Sequence, residues 1–211
     1  HIPVIITQSG LNEMVYNDFF IGENCDVDIV AGCGIHNCGD QESRHDGIHT
    51  FYVGKNSRVR YAEKHYGENN PGETGKNVMN PKTEVFLGEN SVMQMDTVQI
   101  RGIDSTRRET AFHCEKGSEI VVTERLLTHG QQVAESDMVI ELNGDDAKGR
   151  VISRSVAQDQ SQQVFYPRMV GNAECFGHVQ CDSIIMGNAK IKSSPAVIAN
   201  CPEAQLVHEA A

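Results

Sequence analysis

Apolar and polar residues alternate in short runs along the whole chain: Val27-Asp28-Ile29-Val30, Val59-Arg60-Tyr61, Val92-Met93-Gln94-Met95, Ile120-Val121-Val122-Thr123, Val151-Ile152-Ser153-Arg154-Ser155-Val156 and Ile191-Lys192. A period of two, rich in β-branched residues, predicts strands of about four to seven residues that each bury one face. Sustained helical periodicity is missing, and only Glu124 to Glu135 reads ambiguously. Between the runs lie related turns: Gly22-Glu23-Asn24-Cys25, Gly54-Lys55-Asn56-Ser57, Gly88-Glu89-Asn90-Ser91, Lys116-Gly117-Ser118-Glu119, Asn143-Gly144-Asp145-Asp146, Gly171-Asn172-Ala173-Glu174 and Gly187-Asn188-Ala189-Lys190. Gly and Asn enter left-handed backbone conformations at little cost, which gives each turn a mechanism.

The glycines of these turns step by 32, 34, 29, 27, 27 and 16 residues. A loose period in this range predicts a solenoid, in which each unit buries its apolar face on its neighbours. Strands at that spacing without intervening helices predict an all-β parallel β-helix, a single elongated domain over residues 1–211. A sandwich would need turns every ~8–12 residues. The stretch from Gly67 to Pro81, rich in Gly, Asn and Pro, is expected to leave the stack as a loop.

Composition narrows the function classes. The formal charge is −11 with no basic cluster of six or more, which argues against nucleic acid or an anionic membrane as partner. No apolar run approaches the ~18 residues that span a bilayer. Seven cysteines, odd in number and irregularly spaced, do not form a secreted disulfide framework, so a reducing cytoplasm is expected. The chain begins with His1 and reads as an internal fragment. Gly54-Lys55-Asn56 and Gly75-Lys76-Asn77 lack the remaining P-loop residues, and Gly-x-Ser-x-Gly is absent, so neither ATP hydrolysis nor a nucleophile elbow is expected. The enzymatic alternative is a β-helical polysaccharide lyase or glycosidase, which needs carboxylates and aromatic platforms; no Trp is present and aromatics make up 6%.

Candidate chemistry gathers at cysteines. From Cys181 to His208 is 27 residues, a step that recurs in the turn series, so the two would stack on adjacent coils ~4.8 Å apart, with Glu209 beside them. Alternation puts His208 and Glu209 on opposite faces of a regular strand, so both bind one metal only across a bulge. Cys33, His36 and Cys38 form Cys-x2-His-x-Cys, a zinc-like pattern without a fourth ligand at a familiar spacing. Arg44 and His45 are expected to lower the pKa of Cys33 if they lie near it. Cys25, Cys114, Cys175 and Cys201 read as core filling, His113 and His178 as ordinary imidazoles, and the pairs Arg107-Arg108 and Asp145-Asp146 as solvated turn charges.

Several strings resemble the core of the SufB/SufD family, the scaffold components of the Suf iron-sulfur assembly machinery: Ala31-Gly32-Cys33, Ile48-His49-Thr50, Thr128-His129-Gly130-Gln131-Gln132, Ile152-Ser153-Arg154, Cys181-Asp182-Ser183-Ile184-Ile185-Met186-Gly187 and His208-Glu209-Ala210. Cysteine at Cys181 makes the likeness closer to SufB than to SufD. The resemblance implies a right-handed parallel β-helix that dimerises through its end, as a homodimer or with a SufD-like partner. It also implies a sulfur-donor protein, a SufC-like ABC ATPase as a separate subunit, and a transient iron-sulfur cluster. By the same resemblance Cys33 is the sulfur acceptor and Cys181 a cluster ligand, with Glu209 first and His208 second as its companion. The family's N-terminal region and the C-terminal helical segment that meets SufC are absent from these residues.

Overall fold

A computed structural model describes residues 1–210 and shows seventeen strands and no helix among them. In order they are β1 (Ile2–Ile6), β2 (Asn12–Ile21), β3 (Asp26–Asn37), β4 (Ser43–Val53), β5 (Arg58–Asn69), β6 (Asn77–Met79), β7 (Lys82–Leu87), β8 (Val92–Arg101), β9 (Ser105–Cys114), β10 (Glu119–Thr128), β11 (Val133–Leu142), β12 (Lys148–Ala157), β13 (Gln162–Gly171), β14 (Phe176–Ile185), β15 (Lys190–Ser193), β16 (Ala196–Ala199) and β17 (Gln205–Ala210). Ala211 lies outside the described residues.

The chain coils between two parallel sheets. One has the order β1-β3-β5-β8-β10-β12-β14-β17; the other has β15-β13-β11-β9-β6-β4-β2, with β16 beside β13 and β7 between β4 and β9. This is the parallel β-solenoid that the turn spacing predicts. Most strands run to ten or more residues, longer than the apolar runs alone indicate, because polar residues also face inward. Glu124 to Glu135 resolves into the end of β10, a turn and the start of β11. The Gly67–Pro81 stretch is only partly a loop: β5 continues to Asn69, and Asn77–Met79 returns to the second sheet against β4.

Turns stack as ladders. Asn24, Asn56 and Asn90 all take positive φ, and Asn56 Nδ2 donates to Asn24 Oδ1 at 3.3 Å. Further along the same edge, Asn172 donates to Asn143 at 2.7 Å and Asn200 to Asn172 at 2.8 Å. These ladders correct the spacing. Asn143 and Asn172 are 29 residues apart, and Gly171 is the last residue of β13, paired with Leu142. Gly171 is therefore not the counterpart of Gly144, and 27 is not the step of the last coils. Gly187 belongs to the opposite edge, where Asn188 donates to the Asp159 carbonyl and Gly130 to the Asp159 carboxylate.

The interior is apolar through most of its length. Phe51, Tyr61, Met93, Phe112, Ile140, Leu142 and Met169 are sealed from solvent in one continuous cluster that runs from Ala31 to Cys181. Phe51 stacks on Phe19 with centroids 4.3 Å apart and packs obliquely on Tyr61. Replacing Phe51 by Ala removes a fully buried ring one strand in from the β2 edge of the stack. The expected loss is ~3–5 kcal/mol of unfolding free energy, measured by urea denaturation, with the far-ultraviolet strand signal retained below the transition.

Candidate functional site

One section of the interior is polar. On β5, Tyr61, Glu63 and His65 point inward; from the facing sheet come His45 and His49 of β4, Arg108 of β9 and Ser136 of β11, while Glu124 of β10 continues the row begun by Glu63. Arg108 is 5% exposed and Glu63 1%. Their ion pair, Nη1 to Oε2, measures 2.9 Å, and Arg108 Nη2 donates to His65 Nδ1 at 3.0 Å. That bond leaves the proton of a neutral His65 on Nε2, 3.4 Å from Glu63 Oε1. Tyr61 donates its hydroxyl proton to the same oxygen at 2.9 Å. On its other side the Arg108 Nε reaches Glu124 at 3.5 Å, and the Ser136 hydroxyl donates to Glu124 at 3.3 Å.

One guanidinium thus serves two buried carboxylates. Burial works against the ionised form of Glu63, yet His65 and Arg108 together hold its carboxyl well below the usual range. For Glu124 burial prevails and the pKa is raised, with Arg108 and Ser136 opposing. The expectation that Arg107-Arg108 are solvated turn charges is half met: both lie within β9 rather than in a turn, Arg107 is exposed, and Arg108 is buried. The signal lay in parity: Arg108 is in phase with Phe112 and Cys114, which the strand buries.

Cys33 lines this section from β3, opposite His65 in register, and is 3% exposed. Burial, reinforced by the Glu63 charge, pushes its thiol up to about 12. This reverses the expectation that Arg44 and His45 lower it. Arg44 points away to Asp46 at 2.7 Å, and His45 is engaged by Glu13 at 3.0 Å. The zinc-like motif does not converge either. His36 contacts Asn70 at 3.0 Å, and Cys38 is exposed, its thiol donating to the Thr7 carbonyl at 2.8 Å. Among the described residues no three His, Cys, Asp or Glu side chains form a ready-made metal group.

Toward the far end, the polar lining continues from Glu124 and Ser136 through Ser153 to Cys181, which border one cleft. Cys181 is 5% exposed, and burial raises its pKa while Ser193 opposes. The last register differs from the expected stacking. β14 and β17 align Cys181 with Ala210, Val179 with His208 and Gln180 with Glu209. His208 is therefore on the inward side, two residues from the partner of Cys181, and is solvent-exposed. Glu209 lies on the outer side against His178, 3.3 Å from its Nε2. Within one chain Cys181 and Glu209 do not meet.

A further feature is an outer row of rings, Phe20, Tyr52, Phe86 and His113, with neighbouring centroids 4.7–5.3 Å apart and planes within 13° of parallel. The inner rings cover one another's faces, and Phe20, on the edge strand β2, is largely exposed at the end of the row. Among the cysteines read as core filling, Cys114 and Cys175 are buried, whereas Cys25 and Cys201 are half-buried; all seven thiols are free.

Residues 6–211 match the family model described as SUF system FeS cluster assembly, SufBD core domain. The chain belongs to the SufBD core family. It is 26% identical over 213 residues to an iron-sulfur cluster assembly SufBD family protein of Methanocaldococcus jannaschii, covering 100% of this chain and 66% of that protein. Two proteins of the same description from Pyrococcus horikoshii are 22% and 23% identical, covering 100% and 97% of this chain. The chain spans 46% and 61% of their lengths. The SufBD family carries a role in iron-sulfur cluster assembly, and the parallel solenoid is the fold that the resemblance predicts.

Two expected outcomes follow from the buried polar section. Arg108→Met leaves Glu63 and Glu124 without their cation and is expected to cost ~3–5 kcal/mol in urea unfolding, part of which returns when Glu63→Gln is added. Iodoacetamide at pH 8, followed by peptide mass mapping, is expected to label Cys38 rapidly and Cys33 about a thousandfold more slowly. The rise from 9.0 to about 12 removes that much thiolate, before burial is counted.

Proposed function

We propose that this SufBD core acts as the scaffold on which a transient iron-sulfur cluster is built, with sulfur entering at Cys33 and the cluster forming at Cys181. The observation that supports the reading is the polar seam inside the solenoid. It begins beside Cys33 with Glu63, His65 and Arg108 and continues through Glu124, Ser136 and Ser153 to Cys181. A seam of buried polar groups is costly for a fold that could be lined with apolar residues, and its two ends are thiols.

In the proposed transfer, the Cys33 thiolate attacks the terminal sulfur of a donor protein's persulfide. The donor's S–S bond breaks, the donor departs as a thiolate, and the persulfide is now on Cys33. Conversion of that sulfur to sulfide takes two electrons from a separate reductant. Because Cys33 is held protonated and buried, the step waits on a donor that opens the first coil. At the other end Cys181 supplies a soft ligand, with His208 on the same side of the next strand, exposed at the end of the stack. Glu209 serves from the outer side, reaching a shared cluster only in a dimer, with a second copy or a SufD-like partner. A mixed, partly non-thiolate shell favours release of the cluster to a client. ATP hydrolysis is assigned to a separate SufC-like ABC ATPase, so the chain itself is not an enzyme. One core domain over residues 1–211 carries these sites, and seven free thiols suit the cytoplasm. No helix among the described residues is long and apolar enough to cross a membrane.

The test is anaerobic reconstitution with iron and sulfide, read by the ultraviolet-visible spectrum and by iron and sulfide content. Cys181→Ser is expected to lose most of the cluster, and His208→Ala and Glu209→Gln to hold less than wild type. Cys33→Ser is expected to form cluster normally from inorganic sulfide and to fail when a persulfide donor is the sulfur source. Equal cluster content in wild type and Cys181→Ser overturns the assignment.

A further inference from the structure

Two buried histidines stand apart from the seam's ion pairs. His45 and His49 both face inward on β4 with Gly47 between them, and both are at least nine-tenths buried. Gly47 is where the neighbouring chain breaks step: β6 ends opposite His45 and β7 begins opposite Ile48. A Cβ at Gly47 would lie 2.9 Å from His49 Nε2 and 3.4 Å from His45 Nε2, so the two imidazoles lean over the same spot from either side.

The opposite nitrogen of each ring is already engaged. His45 Nδ1 is 3.0 Å from the Glu13 carboxylate, and His49 Nδ1 is 3.5 Å from the Tyr61 hydroxyl, which gives its own proton to Glu63. These contacts put the ring protons on Nδ1 and leave a lone pair on each Nε2 directed at the Gly47 position. A carboxylate or hydroxyl behind Nδ1 is the outer-shell pattern that orients metal-binding imidazoles. An independent observation points the same way. Thr83, beside His49 in register, and Thr110 beyond it have buried inward hydroxyls with no hydrogen-bond partner. The charged groups facing this section, Glu13, Glu63 and Arg108, sum to a net negative charge, which favours a cation.

We propose that His45 and His49 bind a divalent first-row transition-metal ion over Gly47 through their Nε2 atoms. Water molecules complete its coordination, with the Thr83 hydroxyl the nearer of the two unpartnered ones, and Glu13 and Tyr61 are positioning residues. Imidazole donors suit zinc, iron and cobalt. The site lies near the Cys33 end of the interior and does not depend on the sulfur reading: a bare ion binds there whether or not Cys33 accepts sulfur.

The test uses metal-free wild-type protein titrated with Co(II), followed by visible absorption, and with Zn(II), followed by calorimetry. One ion per chain is expected. Gly47→Ala, which places a methyl between the two nitrogens, and His49→Gln are each expected to weaken binding at least tenfold, with apo melting temperatures within a few degrees of wild type. In parallel, long-range proton-nitrogen spectra of wild type with Zn(II) are expected to move the Nε2 resonances of both His45 and His49. That readout stands even if a variant fails to fold. Unchanged affinity in folded Gly47→Ala, or Nε2 resonances that stay in place at saturating Zn(II), overturns the site.

Discussion

Coil-to-coil hydrogen bonding is the constraint on which the rest depends. In a parallel solenoid every strand pairs with the strands one coil before and one coil after, so the step between coils decides which residue lies beside which. Side chains alternate with a period of two, so an error of one residue in that step exchanges inside for outside. The asparagine ladders at the turns hold the step, because each side-chain amide bonds to its counterpart one coil away only when the coils are in register. Cys33, Glu63, Arg108, Glu124 and Cys181 enter the interior for this reason alone. Glu209 stays outside for the same reason, although it is only one residue from His208.

The apolar and polar parts of the interior do different work. The rings and methyls from Phe51 to Met169 supply the burial that offsets chain entropy. The section with Glu63, His65, Arg108 and Glu124 adds desolvation cost that its own pairing recovers only partly, since buried ion pairs are often matched or surpassed by apolar side chains of the same volume. It shares its strands with the apolar core, since Val59 and Tyr61 are buried on β5 beside Glu63, and Ile120 and Val122 on β10 beside Glu124. A polar seam that runs beside the apolar core from Cys33 on β3 to Cys181 on β14 therefore adds little stability that apolar side chains could not supply.

Much of the architecture was legible in the sequence. Alternation and Gly/Asn turns at a loose period are enough for a parallel solenoid, because few other folds need short strands and left-handed corners at that spacing. The register was not legible to the residue. Gly171 and Gly187 look like further members of the turn series, but one closes a strand and the other belongs to the opposite edge, and only the stacking of Asn143, Asn172 and Asn200 reveals steps of 29 and 28. For the same reason Cys181 was expected beside His208 and lies beside Ala210. Parity with Phe112 and Cys114 places Arg108 inward, but what it pairs with there, Glu63 and Glu124, 45 and 16 residues away in the chain, is readable only once the coils are known to bring them together. Histidine in the Ile48-His49-Thr50 string carried the family likeness without disclosing that Gly47 makes room for it.

The uneven sharing of Arg108 gives the seam a direction. Its shorter contact, 2.9 Å, goes to Glu63, which also takes protons in hydrogen bonds from Tyr61 and His65; its longer one, 3.5 Å, goes to Glu124, which has Ser136 as its other donor. Two carboxylates in similar burial thus have their proton affinities driven apart, the arrangement by which one site provides both a fixed charge and an exchangeable proton. The fixed charge lies at the Cys33 end, where it raises the thiol's hold on its proton. The carboxyl that keeps its proton more readily borders the cleft that also contains the Cys181 thiol. The two buried acids differ in proton affinity because His65 and Arg108 together hold Glu63 ionised, whereas at Glu124 burial prevails over Arg108 and Ser136.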